Sequence, residues 1–342
     1  MILHYMHAEK FTNPFLEFMN ENFSIDNHLF LIFENKKHEI KSKNTVLLRE
    51  NLSQVKKLLI AVKYMNKAEK IIVHGLIGHN IYIYLLLQPW LLKRVYWTIW
   101  GGDLYSHTRK KTNVKSRIIE LARLFVIKRL GHLVTHIRGD YELAQEWYGA
   151  KGVWHECFMY PSNLHQESPI QDTPHDGRNI LLGNSADPSN NHIDALEKLR
   201  PYATENIQIF CPLSYGDAEH AKKVADYGKN IFGDKFIPLL EFIRFDEYKQ
   251  LLAKIDIAIF NHKRQQGMGN ITTLLGMGKK VFMRSDVTSY NAIRSLGALV
   301  YDIERLDLLP LEVNHARSNS KIIENYFSSK NLLQSWREIY KG

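Results

Sequence analysis

Apolar residues along this chain fall in short continuous runs that alternate with stretches of helical spacing. Residues 2–6 and 29–33 predict strands, with a loop at 7–13 and a helix at 14–22 that Pro14 suits in its first turn. Leu52, Val55, Leu58, Leu59 and Val62 recur at helical spacing across 52–65, and Ile71, Ile72 and Val73 follow as a strand. Residues 95–100 predict another strand, which ends abruptly in Gly101, Gly102 and Asp103. A strand at 133–136 and a helix at 138–148 close this rhythm. Such alternation predicts an α/β protein with a parallel sheet covered on both faces.

Between residues 162 and 178 the composition shifts to Ser, Pro, Gln, Asp, His and Gly, which predicts a domain linker. The rhythm then resumes: strand 179–182, polar loop 183–190, helix 191–200, strand 207–211, loop 212–216, helix 217–230 and strand 236–239. A turn at 241–244 and a helix at 246–253 lead to a strand at 255–260, the loop 264–270, a helix at 271–277 ended by Gly278, and a strand at 280–284. In a strand–loop–helix–strand unit with parallel pairing, the loop lies at the carboxyl edge of the sheet, where open α/β folds bind ligands. Gly267 and Gly269 permit close backbone approach, Asn270 is placed to cap the following helix, and Arg264 offers a fork of donors suited to phosphate. The same residues also fit a plain tight loop with a surface arginine. The final stretch, 322–340, predicts one helix with Trp336 and Tyr340 available for packing.

Two segments raise the question of a membrane. Residues 71–92 carry no Asp, Glu, Lys or Arg, which is long enough to span a bilayer. His74, Gly75, Gly78, His79, Asn80, Gln88 and Pro89 interrupt the run, however, so strand 70–73, a glycine loop and helix 80–87 is the better reading. Residues 109–130 hold eight Lys or Arg and one acid, Glu120, interleaved with Ile118, Ile119, Leu121, Leu124, Phe125, Val126 and Ile127. That pattern fits a helix with one buried face and one face offered to anionic lipid, and equally a buried helix with a solvated basic face. Residues 1–5 are too short and too poor in basic residues for a signal peptide.

Composition narrows the class. The 342 residues suffice for two domains, each with its own core, and 45% hydrophobic with 24% charged residues is ordinary for a globular protein. The net charge of +9 suggests anionic partners. Cys157 and Cys211 lie far apart without metal-ligand spacing, so a reducing cytoplasm is the default setting.

Three loops at strand carboxyl ends, 183–190, 212–216 and 261–270, supply glycines, hydroxyls, amides and Arg264, the equipment for a nucleotide diphosphate. None matches a P-loop, and no Gly-x-Gly-x-x-Gly follows the first strand, which argues against kinase, ATPase and nicotinamide readings. In the first half, Asp103 stands after two glycines at a strand end, facing the expected cleft between domains. It reads either as a general base or as a cap of the next turn. His74 and His79 flank another glycine loop, as a base, as phosphate ligands or as plain hydrogen-bonding residues.

Trp97-Thr98-Ile99-Trp100-Gly101-Gly102-Asp103-Leu104-Tyr105, the stretch from Gly183 through Asn184, Ser185, Ala186, Asp187 and Pro188 to Ile193, and Arg264-Gln265-Gln266-Gly267-Met268-Gly269 together resemble glycosyltransferase family 56. The likeness runs from the first strand to about residue 340, with Val73-His74-Gly75 and Arg138-Gly139-Asp140 in register. That family is typified by the TDP-N-acetylfucosamine:lipid II N-acetylfucosaminyltransferase of enterobacterial common antigen synthesis. The resemblance implies a GT-B fold, two Rossmann-like domains with parallel sheets facing across a cleft. The acceptor domain would be 1–165, the nucleotide-sugar domain 166–322, and a C-terminal helix at 323–342 would pack back on the first. It implies a peripheral enzyme on the cytoplasmic face of the bacterial inner membrane. That enzyme would move a deoxyamino sugar from a dTDP-sugar donor to a polyprenyl-diphosphate-linked saccharide, with no cofactor and no metal.

On that reading Arg264, Gln265, Gln266 and the backbone of Gly267, Met268, Gly269 and Asn270 hold the diphosphate as charge develops on the leaving group. Asn184, Ser185 and Tyr215 contact phosphate or sugar, and Phe242, Ile243 and Arg244 meet the base. Asp103 serves as general base if configuration inverts and positions the acceptor if it is retained, with His74 and His79 next in line. Gln266 stands where many GT-B members carry an acidic residue, and Pro188 where a basic one is expected, so the donor sugar stays open, UDP- and GDP-sugars included. A sugar-nucleotide 2-epimerase of the same architecture would need no lipid affinity, against the basic amphipathic stretch. A nucleic-acid-binding protein would carry a recognisable motif, and none is present, so nucleic acid is not an expected partner.

Overall fold

The computed structural model describes residues 1–40, 42, 44–165 and 177–341, and divides them into two units: 1–164 with 329–341, and 165–328. Most of the expected linker, 166–176, lies outside the described residues.

The first unit runs β1 (Ile2–His7), α1 (Thr12–Asn22), β2 (His28–Phe33), β3 (Thr45–Leu48), α2 (Gln54–Lys67), β4 (Lys70–His74), α3 (Asn80–Leu87), β5 (Val95–Thr98), α4 (Val114–Ile127), β6 (His132–Val134), α5 (Arg138–Tyr148) and β7 (Val153–His155). Its seven strands are all parallel in the order β3-β2-β1-β4-β5-β6-β7. Strand order reverses between β1 and β4, which opens a crevice at their carboxyl ends. Ile71, Ile72, Val73, Val95, Tyr96 and Trp97 are fully or nearly fully buried, the signature of strands covered on both faces. Helix starts follow local chemistry: the Ser53 hydroxyl accepts from Lys56 N–H to cap α2, and Asn113 and Ser116 cap α4 reciprocally.

The second unit runs β8 (Arg178–Leu182), α6 (His192–Leu199), β9 (Ile207–Pro212), α7 (Ala218–Phe232), β10 (Phe236–Leu239), α8 (Phe245–Ala253), β11 (Ile257–Phe260), α9 (Met268–Gly276), β12 (Lys280–Met283), α10 (Thr288–Ser295), β13 (Tyr301–Asp302) and α11 (Val313–Tyr326). Its sheet is parallel in the order β10-β9-β8-β11-β12-β13, with the reversal between β8 and β11. The last helix, α12 (Ser329–Lys341), belongs to the first unit, where Trp336 is fully buried and its Nε1–H donates to Met159 O at 2.9 Å.

Several expectations need correction. The basic stretch 109–130 is not one helix. Residues 104–108 form a 3₁₀ turn, Lys111 folds back onto the Ser106 and His107 carbonyls, and the helix starts only at the Asn113 cap. The C-terminal stretch is two helices, because Phe327 turns out of α11 to bury its ring and accept from His165 N–H at 2.9 Å. Helix α9 begins at Met268, three residues before its expected start, and Gly267 takes the cap position that Asn270 was expected to fill. Strands β3, β7 and β13 were not anticipated. All three are sheet edges, paired on one side, and at four, three and two residues they are too short to stand out.

Candidate active site

The reversal between β8 and β11 places two loops side by side, 183–191 after β8 and 261–267 after β11. Side chains lace them into one body. Asn190 Oδ1 accepts from Asn184 N–H at 2.9 Å and meets His262 Nε2 at 3.0 Å. Gln266 Nε2 donates to Asn184 Oδ1 at 3.2 Å, and the one proton of the Ser189 hydroxyl is shared between Gln266 Oε1 at 2.5 Å and Asp187 Oδ1 at 2.6 Å. Arg264 donates to Asp187 Oδ2 at 3.3 Å and to Gln265 O at 3.1 Å, which fixes its guanidinium at the rim of the crevice. Tyr215, from the loop after β9, accepts from Asn184 Nδ2 at 3.2 Å. Ser185 Oγ is buried and accepts from Asn190 Nδ2 at 3.2 Å.

Gly267 is the residue that lets this body close. It sits at φ +69°, and a Cβ there would lie 2.8 Å from His262 Cε1 and 3.3 Å from Asn184 Cγ. His262 Nδ1 meets the Gln266 carbonyl at 3.1 Å from below, so its ring buttresses the loop that carries Arg264. Burial pushes His262 down to about 3, so it is neutral, and its single N–H serves one of the two oxygens that face its ring, Gln266 O and Asn190 Oδ1. Asp187 is held below the usual carboxylate range: partial burial opposes this, but the Ser189 hydroxyl and N–H and then Arg264 outweigh it. The unpaired N–H groups at the start of α9 carry the positive end of its dipole, and Gly267 with Arg264 stands beside them. Gln265 Oε1 and Asn261 Oδ1 are buried without a hydrogen-bond partner among the described residues. Two rigid loops, a helix N-terminus, a fixed guanidinium and spare polar atoms together suit a diphosphate and the polar groups it carries.

The structure thus brings Asn184, Ser185, Tyr215, Arg264, Gln265, Gln266, Gly267, Met268, Gly269 and Asn270 to one crevice. Asn270 lies within α9 and donates to Tyr248 Oη on α8 at 3.1 Å. Phe242, Ile243 and Arg244 lie just ahead of α8, outside the laced body, with Phe242 85% exposed. Sequence reasoning singled out the loop 183–190 but not Asp187, Ser189 or Asn190 within it, and it passed over His262. The signal was there: a histidine and an asparagine directly after a buried strand at the switch point.

In the first unit the two residues expected to be catalytic, Asp103 and His74, are both buried. Asp103 is buried, and its carboxylate accepts four N–H groups: Leu76 N at 2.9 Å and Trp97 Nε1 at 2.7 Å on Oδ2, Trp100 N at 3.0 Å and Leu104 N at 2.9 Å on Oδ1. Its lone pairs are taken up in holding the turn, which is the geometry of a cap. His74 is fully buried, its Nε2 meeting His4 Nδ1 at 3.0 Å and its Nδ1 the Tyr160 hydroxyl at 2.7 Å. Burial pushes it down to about 3, and with both nitrogens engaged it has no lone pair for a substrate proton. His79 is exposed and precedes α3 without a side-chain capping bond.

Comparisons with known proteins agree with this architecture. The chain superposes on Anabaena HepE in complex with UDP and glucose (TM-score 0.71, 11% identity, covering 100% of this chain and 99% of that one). It matches a glycosyltransferase from Rickettsia africae (TM-score 0.62, 12% identity, 99% and 97% covered). It also matches WaaG, a glycosyltransferase involved in lipopolysaccharide biosynthesis (TM-score 0.64, 10% identity, 99% and 98% covered). At such identities the likeness establishes the GT-B fold. The family model described as 4-alpha-L-fucosyltransferase, glycosyl transferase group 56, matches residues 5–340. Nearly the whole chain is matched, so this protein belongs to glycosyl transferase group 56 and is a glycosyltransferase of GT-B fold.

Proposed function

We propose that the protein transfers a deoxyamino sugar of the N-acetylfucosamine kind from a dTDP-sugar to a polyprenyl-diphosphate-linked saccharide at the cytoplasmic face of the inner membrane. The donor would sit in the crevice of the second unit. Arg264 and the N-terminus of α9 would meet the diphosphate, Asn184, Ser185 and Tyr215 the remaining phosphate and sugar oxygens, and the exposed Phe242 turn the base. As the bond from the anomeric carbon to the diphosphate breaks, charge grows on the leaving oxygen. Preorganised N–H donors and a guanidinium then stabilise the transition state more than the ground state.

The observation that carries the lipid-linked acceptor is an apolar face on the first unit. Ile83, Leu86, Leu87 and Trp90 of α3 and the turn after it are exposed, as are Val114, Ile118, Leu121 and Phe125 of α4. These helices pack together through Arg123, which donates to Tyr82 Oη at 2.7 Å. Lys110, Lys115, Arg117, Lys128 and Arg129 surround the face with exposed positive charge. Apolar residues ringed by cations fit an anionic bilayer surface, where a polyprenyl acceptor resides. Among the described residues no helix is long and apolar enough to cross a membrane.

The UDP in HepE favours a UDP-sugar as the second donor reading. A screen of dTDP- and UDP-sugars against a short-chain polyprenyl-diphosphate saccharide, with product mass as readout, decides. Transfer from the dTDP-sugar supports the proposal, transfer only from a UDP-sugar replaces the donor, and no transfer to any lipid-linked acceptor overturns the reading.

A further inference from the structure

The first unit has a switch point of its own, between β1 and β4, and an aromatic group is built over it. Trp100, just past β5, is part-exposed. Phe11, from the loop after β1, meets it edge-on with ring centroids 4.9 Å apart and planes at 89°. Gly75, directly after β4, lies beneath it: at φ +77° a Cβ there would come within 2.9 Å of Trp100 Cδ2. Loops from both sides of the crevice therefore converge on one indole.

The indole is held from its polar edge by a line of buried hydrogen bonds. Trp100 Nε1–H donates to the Tyr160 oxygen at 2.9 Å. The Tyr160 hydroxyl meets His74 Nδ1 at 2.7 Å, His74 Nε2 meets His4 Nδ1 at 3.0 Å, and His4 Nε2 meets His28 Nδ1 at 3.1 Å. An indole nitrogen only donates, so Tyr160 accepts from Trp100, and its hydroxyl passes the line on through His74 and His4 to His28. Both nitrogens of His74 and of His4 are engaged, so the tautomer of each ring is tied to that of its neighbour. Trp336 and Phe15 pack His74 from the sides, at 6.2 and 5.0 Å between centroids.

We propose that Trp100 is the platform on which a pyranose ring of the acceptor rests, and that Tyr160 and the histidine line behind it are positioning residues. The inference rests on the transferase reading and names the acceptor-side surface for it. Switch-point crevices are where open parallel sheets take ligands. An indole whose N–H is already satisfied inside the protein presents an apolar ring to that crevice. The C–H face of a sugar is the apolar surface that matches it, and Gly75, with no side chain, lets the indole seat close on the loop after β4.

The test separates this site from the reaction. With a dTDP-sugar and a short-chain polyprenyl-diphosphate saccharide, Trp100→Ala should raise acceptor KM by about tenfold or more, the usual cost of truncating a buried-edge tryptophan contact. The affinity for free dTDP should stay within about twofold, since the diphosphate crevice belongs to the other unit. Trp100→Phe, which keeps a ring but loses the Nε1–H, and Tyr160→Phe, which frees the indole edge, should raise acceptor KM by less, with smaller changes in kcat. An unchanged acceptor KM in folded Trp100→Ala overturns the proposal. A second measurement needs no turnover and no alanine variant. The Trp100 indole N–H resonance of the unmutated protein, assigned by its loss in Trp100→Phe, should shift on titration with methyl pyranosides and their 2-acetamido forms. No shift with any of them at millimolar concentration overturns the platform. A shift without transfer to any lipid-linked acceptor keeps the platform and refutes the lipid-linked acceptor instead.

Discussion

Replacing Asp103 by Asn separates a structural carboxylate from a catalytic one. Each Asp103 oxygen accepts two N–H groups, Leu76 N and Trp97 Nε1 on one, Trp100 N and Leu104 N on the other. Whichever oxygen becomes the amide, two donors then face an NH₂ group instead of an acceptor. Two hydrogen bonds to a charged group at about 1.5–3 kcal/mol each give a loss of roughly 3–6 kcal/mol. For a unit of this size that lowers the melting temperature on the order of 10 °C. The loss should appear in a urea or thermal melt of the variant, with the midpoint falling and the slope unchanged. At a temperature where the variant is still folded, turnover per folded molecule should stay well above the loss of about 10²–10⁴-fold that removing a general base produces. A variant that melts within about 2 °C of the parent yet loses about a hundredfold in turnover would refute this account and restore the carboxylate to catalysis.

Arg264→Ala should weaken dTDP or UDP binding by about 1.5–3 kcal/mol in calorimetry, with EDTA changing neither protein's affinity. His262→Ala should also weaken donor binding, through a loosened loop, and unchanged affinity would remove the ring from that role. Acid should destabilise both units. The folded-state values of His74 and His262 lie at about 3, below the ordinary value near 6.5, so the unfolded chain binds the extra protons. Stability is then complete above pH ~6.5 and falls by about 1.4 kcal/mol per pH unit for each group as the pH drops towards those values. Urea midpoints that are flat between pH 7 and pH 5 would contradict it. On anionic vesicles, neutralising Lys110, Lys115 and Arg117 should cost about 1 kcal/mol of binding per charge and high salt should mimic it. Salt-insensitive partitioning would leave only the apolar face around Trp90 and Leu121.

The two-unit parallel architecture was readable from the sequence because its interior strands are buried on both faces. Runs such as Ile71-Ile72-Val73 and Ile257-Ala258-Ile259-Phe260 must then be continuously apolar, and that continuity is visible without a structure. Glycine loops after those strands marked the crevice of the second unit for the same local reason. Helix boundaries were less legible where capping chemistry overrode periodicity, as at Asn113 and Gly267, and the short edge strands β3, β7 and β13 were missed while the edge strand β10 was read. Roles were the least legible. The sequence by itself left Asp103 as either base or cap, since both uses place a carboxylate after a strand. Only the folded turn, which aims four N–H groups at it from residues as distant as Leu76, shows the hydrogen bonds of the cap. Likewise His4, His28, His74, Tyr160 and Trp100 are scattered over the chain, and nothing local links them. A parallel sheet sets β1, β2 and β4 side by side with their histidines in contact, and the segments after β5 and β7 bring Trp100 and Tyr160 to the end of that row, which makes one line of five separate rings.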